Sequence, residues 1–338
     1  MVVNLHSDTQ TQPTAEMRAV MAAAEVGDEQ RGQDPTTAEL ERRVAELLGH
    51  EAAVFLPSGT MCNEIALRLH IRGGGDELIL DRTAHPIVAE AGGPAALAGA
   101  MIGPLDGDGG IFTASQLEAA LHVDGDRYAP RSRAVSVEQT TNMGGGRVWS
   151  PQQIEDVLGV ARSNGLRTHL DGARLMNAVV ASGVAAADYA SAFDTAWLDF
   201  SKGLGAPVGA VLAASRELID EAWRYKQMMG GALRQSGILA AGCIYALDHH
   251  VERLAEDHAN ARALAEGLAE LPGVEIDPET VETNIVIFEV PDAALLAERL
   301  AGEVDVLALD LTRMRAVTHL DVDREQIDVA LQAFEVAL

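Results

Sequence analysis

At 338 residues with a formal net charge of -26, the chain is long enough for one large two-part domain or two ordinary ones. It is also too acidic to suit a nucleic-acid backbone or an anionic membrane surface, since both demand clustered cations. Its two cysteines, Cys62 and Cys243, lie far apart with no His/Cys cluster around them, which argues against a disulfide framework or a zinc site and fits a reducing compartment.

The N-terminus MVVNLHSDTQ has no basic segment before an apolar one, and the longest apolar stretch, around GILAAGCIYAL, falls short of the ~20 residues a membrane span needs, so the expected location is the cytoplasm. From about 15 to 215 amphipathic helices alternate with short apolar strands, the pattern of an α/β fold in which a mostly parallel sheet is flanked by helices. TAEMRAVMAAA and TTAELERRVAELLG predict the first helices, each with a capping threonine. AAVFLP and DELILD predict strands, then RAVSVEQ, the helix SPQQIEDVLGVARSNG, and the strands LRTHLD and DTAWLDF. Each strand runs into Gly, Ser, Asp or Glu, so polar residues collect at the carboxyl ends, where open α/β sheets bind ligands. An alanine-rich helical tract is expected from about 236 to 271. VEIDPETVETNIVIFEV, the helix AALLAERLAG, MRAVTHLDV and a final helix then predict a smaller C-terminal α+β domain. The expected division is an N-terminal segment 1–14, a large domain 15–235 and a small domain 236–338.

Only two of the 25 Lys and Arg residues are lysines, Lys202 and Lys226. Arginine stays charged and forms no Schiff base, whereas a desolvated lysine can become a neutral nucleophile. Lys202, in LDFSKGLGAPVG after a predicted strand, is therefore the candidate for attachment of a carbonyl cofactor; Lys226, in WRYKQMMGG, reads as a chance survivor of a bias towards arginine. PSGTMCNEIALRLH places Ser58, Gly59 and Thr60 where a strand gives way to a helix, which is either a plain helix cap or a phosphate-holding turn. In LDGARL, Asp171 can hold a pyridine nitrogen protonated and Arg174 can fork onto a carboxylate, or the aspartate merely caps a helix. His85, in DRTAHPIVAEAGG, can stack on a flat ring and move protons. Phosphate turn, histidine, aspartate with arginine, and lysine, each at a strand end of one sheet, together describe a pyridoxal 5'-phosphate site.

With these segments assembled, the chain resembles the low-specificity L-threonine aldolases of the fold-type I pyridoxal phosphate enzymes, whose large domain is like that of aspartate aminotransferase. The resemblance runs from SDTQTQPT through GDEQRGQDPT, PSGTMCN, AHPIVAEAGG, LDGARLMNA, SKGLGAPVG, GGALRQSGILAA and ETNIV to RAVTHLDV. It implies that Lys202 holds the cofactor, Asp171 partners the pyridine nitrogen, His85 stacks on the ring, and Ser58, Gly59 and Thr60 bind the phosphate. Ser7, Arg174 and Arg315 match the groups that hold the substrate carboxylate. Glu90 matches a position that supports proton transfer, and Arg234 one that reaches the phosphate in a neighbouring subunit. It further implies a homotetramer with shared active sites; whether a metal ion belongs to the site stays open.

The chain departs from the family pattern at the substrate end. Glu138-Gln139-Thr140-Thr141-Asn142 stands where the family usually has ENTHN, so Thr141 replaces the histidine expected near the substrate's β-hydroxyl. Arg31 replaces a tyrosine before the GxDPT segment, and Gln12 replaces the lysine of SDTxTKPT. The expected activity is retro-aldol cleavage of a β-hydroxy-α-amino acid to glycine and an aldehyde, with Arg31 and Thr141 altering substrate choice. Two other readings stand beside it: a β-eliminating lyase on the same cofactor, and a non-catalytic binding protein. A nicotinamide-binding reading is poorer, because no strand is followed by the spaced-glycine fingerprint.

Overall fold

A computed structural model describes residues 2–122 and 125–338. The strands, in chain order, are β1 (Val3–Asn4), β2 (Ala52–Leu56), β3 (Glu77–Asp81), β4 (Met101–Leu105), β5 (Ser132–Glu138), β6 (Arg167–Asp171), β7 (Thr195–Asp199), β8 (Ala210–Ala214), β9 (Ile285–Glu289), β10 (Val304–Asp305), β11 (Leu307–Ala308) and β12 (Arg313–Val317). Seven of them form one sheet in the order β2-β8-β7-β6-β5-β3-β4, in which only β8 runs antiparallel to its neighbours. The expected mostly parallel, helix-flanked sheet is therefore present.

The apolar runs follow from burial of this sheet on both faces. In β2, Val54 and Leu56 point to one core with Cys62, Ile65 and Trp197, while Ala53 and Phe55 point to the other with Leu40, Val44 and Leu170. Helices Gly59–His70 and Arg216–Met228 cover the first face; Pro35–Leu48, Pro151–Ser163 and Leu175–Ser182 cover the second. Two strands of this sheet escape the sequence reading. β4 contains Gly103 and Pro104, which suit a sheet edge and spoil a strand pattern. β8 is alanine-rich and carries little strand propensity of its own; burial between β2 and β7 decides it.

The small sheet, β11-β12-β9, is antiparallel, and helices Leu254–Ala269 and Arg324–Ala337 contribute to its core. Phe288 and Phe334 meet edge-on there, with ring centroids 5.7 Å apart. The N-terminal segment belongs to this unit: β1 pairs in parallel with β10, and Val3 and Leu5 are buried in the same core. The predicted helical tract 236–271 is two helices, Gly237–His249 and Leu254–Ala269. The first gives Ala240, Cys243 and Ala246 to the large core, the second gives Ala261 and Leu264 to the small one. The change of core thus falls at the break around 250–253, one helix beyond position 235.

One buried ion pair ties the N-terminal segment to the large sheet. Asp8 Oδ1 and Oδ2 accept from Arg174 Nη2 and Nε at 2.7 Å each, and both residues are enclosed. Burial pushes the Asp8 carboxyl up, but the charge and hydrogen bonds of Arg174 more than offset it and hold the group down at about 2. A depressed folded value contributes stability above the ordinary carboxylate value and loses it as pH falls through the folded one. Between pH 5 and pH 2 the urea midpoint of the wild type should therefore fall by the equivalent of about 2 kcal/mol more than that of Asp8→Asn. At neutral pH the variant itself should be weaker by roughly 3–5 kcal/mol, because Arg174 is left buried without its counter-charge.

Candidate active site

Parallel neighbours bring the ends of β5, β6 and β7 to one edge, and these ends are Glu138, Asp171 and Asp199. Glu138 and Asp171 are register partners across β5 and β6. Placing three buried acids together forces each to find a donor or a proton. Glu138 Oε2 accepts from Asn142 N at 3.2 Å, and burial first, then the charge of Asp171, pushes its carboxyl up to about 8. Asp199 Oδ2 instead takes Lys202 Nζ at 2.5 Å, while Oδ1 accepts from Ser201 N and Oγ. The Lys202 side chain is 16% exposed, so its amine is sheltered yet reachable.

Asp171 is met by Asn63, one turn into helix Gly59–His70. Asn63 Nδ2 donates to Asp171 Oδ2 at 2.8 Å and to Glu90 Oε1 at 2.7 Å. Its Oδ1 accepts from Trp197 Nε1 at 2.8 Å and from His169 Nε2 at 3.0 Å, so every polar atom of the amide is used. With Nε2 donating, His169 Nδ1 accepts the Thr195 hydroxyl at 2.7 Å, and Thr195 in turn accepts from His70 Nε2 at 2.8 Å. Burial drives His169 down to about 3 and His70 to about 4, so the relay behind Asp171 is neutral at physiological pH.

His85 Nδ1 donates to Glu90 Oε1 at 2.7 Å, which leaves Nε2 as the free ring nitrogen. Burial alone would lower this imidazole; the hydrogen bond to Glu90 and the charges of Asp171 and Glu90 hold it above its ordinary value. Lys202 acts on both His85 and Asp8, so lysine, histidine and the Asp8–Arg174 pair share one electrostatic neighbourhood. Ser58 and Thr60 are exposed at the start of their helix, with the Ser58 hydroxyl accepting from Met61 N at 3.2 Å. Gly59 is required there: a Cβ would lie 2.2 Å from the Trp197 ring.

The small domain supplies Arg315. Its Nη1 donates to Asn142 Oδ1 at 2.9 Å and its Nη2 to the His6 carbonyl at 3.4 Å, while the buried Nε has no partner among the described residues. Ser7 lies beside this contact, its hydroxyl accepting from Thr9 N and Oγ1. Arg174 differs from expectation, since Asp8 occupies the fork predicted for a substrate carboxylate and only Nη1, 3.3 Å from Asn142 Oδ1, lies outside that pair.

Thr141 also differs. It is wholly buried, its hydroxyl accepts from Arg147 N at 3.2 Å, and Gly110 packs against its side chain, so it anchors a loop and presents no open face. Arg31 and Arg234 sit apart from the Lys202 cluster, on two loops joined by Glu29 N to the Arg234 carbonyl and by Arg234 Nη1 to Asp28 Oδ2. Asp8, Asn63, Asn142 and Asp199 were not singled out as site residues from the sequence. Asn63 had a readable signal, a polar residue on the apolar face of its helix; the others depend on chain segments that meet only in three dimensions.

The profile of the beta-eliminating lyase family matches residues 4–291. The chain is 40% identical over 329 residues to the low specificity L-threonine aldolase of Escherichia coli (strain K12), covering 96% of each protein. It is 36% identical over 344 residues to low-specificity L-threonine aldolase 1 of Arabidopsis thaliana, covering 99% of this chain and 96% of that one. The solved threonine aldolase of Leishmania major superposes with a TM-score of 0.84 at 22% identity over 99% of this chain and 98% of that one. Fold and relatives define a pyridoxal-phosphate-dependent lyase. The chain belongs to the beta-eliminating lyase family and, within it, to the low-specificity L-threonine aldolases.

The residues present fit that cofactor. Gly59 leaves a side-chain-free approach at an open helix start, Asp171 is enclosed with Ala173 N on Oδ1 and Asn63 on Oδ2, and Lys202 is half-sheltered beside Asp199. Replacing Asn63 by leucine removes donors from two buried carboxylates at once. The expected cost is about 3 kcal/mol or more in the urea unfolding of the variant, with weaker retention of pyridoxal phosphate on dialysis.

Proposed function

We propose that this protein is an aldolase that splits β-hydroxy-α-amino acids of the L-threonine and L-allo-threonine type into glycine and an aldehyde. The observation that carries the reading is the pairing of a sheltered Lys202 with a His85 whose Nδ1 is committed to Glu90, in a site where Arg315 keeps an unpartnered Nε. The names and near-complete coverage of the relatives support it. Lys202 would hold the cofactor, Asp171 would face its pyridine nitrogen, and Ser58, Gly59 and Thr60 would hold its phosphate. When bound, pyridoxal phosphate supplies the electron sink that makes cleavage at Cα possible.

The side chains do the rest. Arg315, with Ser7 beside it, fixes the substrate carboxylate, and Arg174 braces Asp8 and Asn142 so that this edge keeps its shape. His85 Nε2 takes the β-hydroxyl proton, while Glu90 holds the ring's orientation and stabilises the charge it gains. Glu138, carrying its own proton, adds no second negative charge next to Asp171. Arg31 and Arg234, on their own loop pair, reach the site of a neighbouring subunit in a homotetramer, where Arg31 favours acidic or bulky β-substituents. The proposed location is the cytoplasm; among the described residues no helix is long and apolar enough to cross a membrane.

The family's name favours one rival, β-elimination on the same cofactor. Products separate the two. Purified holoenzyme given a panel of β-hydroxy-α-amino acids should release glycine and aldehyde in equal amounts, with Lys202→Ala inactive. Ammonia and a keto acid would move the assignment to the lyase. His85→Asn should lower kcat by roughly 10²-fold or more, the usual loss for a general base, with a smaller change in KM.

A further inference from the structure

Glu64 has no place in the chemistry above, yet it is buried next to it. It follows Asn63 on helix Gly59–His70 and is 3% exposed. Among the described residues neither of its carboxyl oxygens has a hydrogen-bond donor, and nor does the buried Oε2 of Glu90. The other oxygen of Glu90 is fully engaged by Asn63 Nδ2 and His85 Nδ1. The chain closes over this spot: Gly93 N donates to the Glu90 carbonyl at 2.8 Å, and a Cβ on Gly93 would sit 1.9 Å from Glu64 Oε1. Three buried acceptor-only atoms without a donor among the described residues are costly unless a proton serves them.

We propose that Glu64 is a positioning residue that keeps a proton and donates it to Glu90 Oε2, so that the two carboxyls share a single negative charge and present His85 with one fixed acceptor. The hydrogen bond satisfies the orphaned oxygens, and Glu90 Oε1 stays turned towards His85 and Asn63. Burial first, and then the hydrogen bond and charge of Glu90, push the Glu64 carboxyl up to about 8, in keeping with a proton retained at neutral pH.

The titratable groups facing this unit are few. Glu90 faces Glu64; Glu90, Asp171 and Lys202 act on His85; and the Cys62 thiol, on Glu64's own helix, is raised by burial and carries no charge. Loss of the Glu64 proton puts a second negative charge beside Glu90. The two carboxylates then repel, Glu90 Oε1 is no longer held towards His85, and Nε2 loses the fixed orientation in which it acts as a base. Glu64 thereby sets the alkaline limit of the reaction. This consequence rests on the reading of His85 as base; the shared proton does not.

The test uses the full-length holoenzyme and two readouts. In infrared spectra taken across the alkaline range, the carbonyl band of protonated carboxyls should lose intensity on deprotonation. Glu64→Gln should lack the Glu64 share of that band, while Glu138→Gln, altered at another raised carboxyl, should keep it. Glutamine still offers an N–H to Glu90 but cannot titrate, so the alkaline limb of kcat/KM in Glu64→Gln should move up by roughly one pH unit. Glu64→Leu, with no donor, should lower kcat by about tenfold. A Glu64→Gln protein with the full wild-type band overturns the shared proton, whatever reaction is catalysed. A normal loss of band with an unmoved alkaline limb overturns the control of His85. Absence of glycine release by the wild type would instead fail the aldolase reading and leave the infrared result to stand alone.

Discussion

Buried negative charge is the constraint around which this protein is organised. Asp8, Glu90, Glu138, Asp171 and Asp199 are all enclosed, in a chain whose formal charge is already -26. Cations answer only part of it: Arg174 covers Asp8 and Lys202 covers Asp199. The amide of Asn63 serves Asp171 and Glu90 together, and burial pushes the carboxyls of Glu138 and Glu64 up towards their uncharged forms. An isolated carboxylate in such a place would cost several kcal/mol. The arrangement that avoids this cost also distributes roles, since Asp199 is left beside the amine, Asp171 behind the site and Glu90 on the imidazole.

The two cores meet around this charge. β1 and β10 make the N-terminal segment part of the small unit, and Asp8, four residues after β1, crosses to Arg174 at the start of helix Leu175–Ser182. Asn142 Oδ1 then joins Arg174 of the large unit to Arg315 of the small one. A change in how the cores sit would therefore be felt at Arg174, Asn142 and Arg315. The pair is buried, so salt screens it weakly.

Much of the layout was legible in the chain. Alternating amphipathic helices and apolar runs marked the parallel sheet, because strands buried on both faces must be apolar throughout. Lys202, Asp171, His85 and the Ser58–Thr60 turn stood out because each follows a strand. β8 was hidden by its alanines and β4 by Pro104, residues that take strand conformation here through neighbours rather than propensity. Arg174 and Thr141 stand differently from expectation for a related reason. Their residue types suit a substrate, but Asp8 and the loop around Arg147 had already claimed them. Position 235 was an understandable place for a boundary, yet a helix rich in alanine shows the same face to either core, and only packing assigns Gly237–His249 to the large one.

By itself the sequence determined the element types, the edge of the sheet at which polar residues gather, and the groups proposed to bear the chemistry. These are local properties, set by hydrophobic period, capping and the residue that ends each strand. Tertiary structure alone decided which acid takes a cation, which an amide and which a proton. Those choices depend on distances between segments as remote as Asp8 and Arg174 or Glu64 and Glu90, and on burial, which no local pattern encodes.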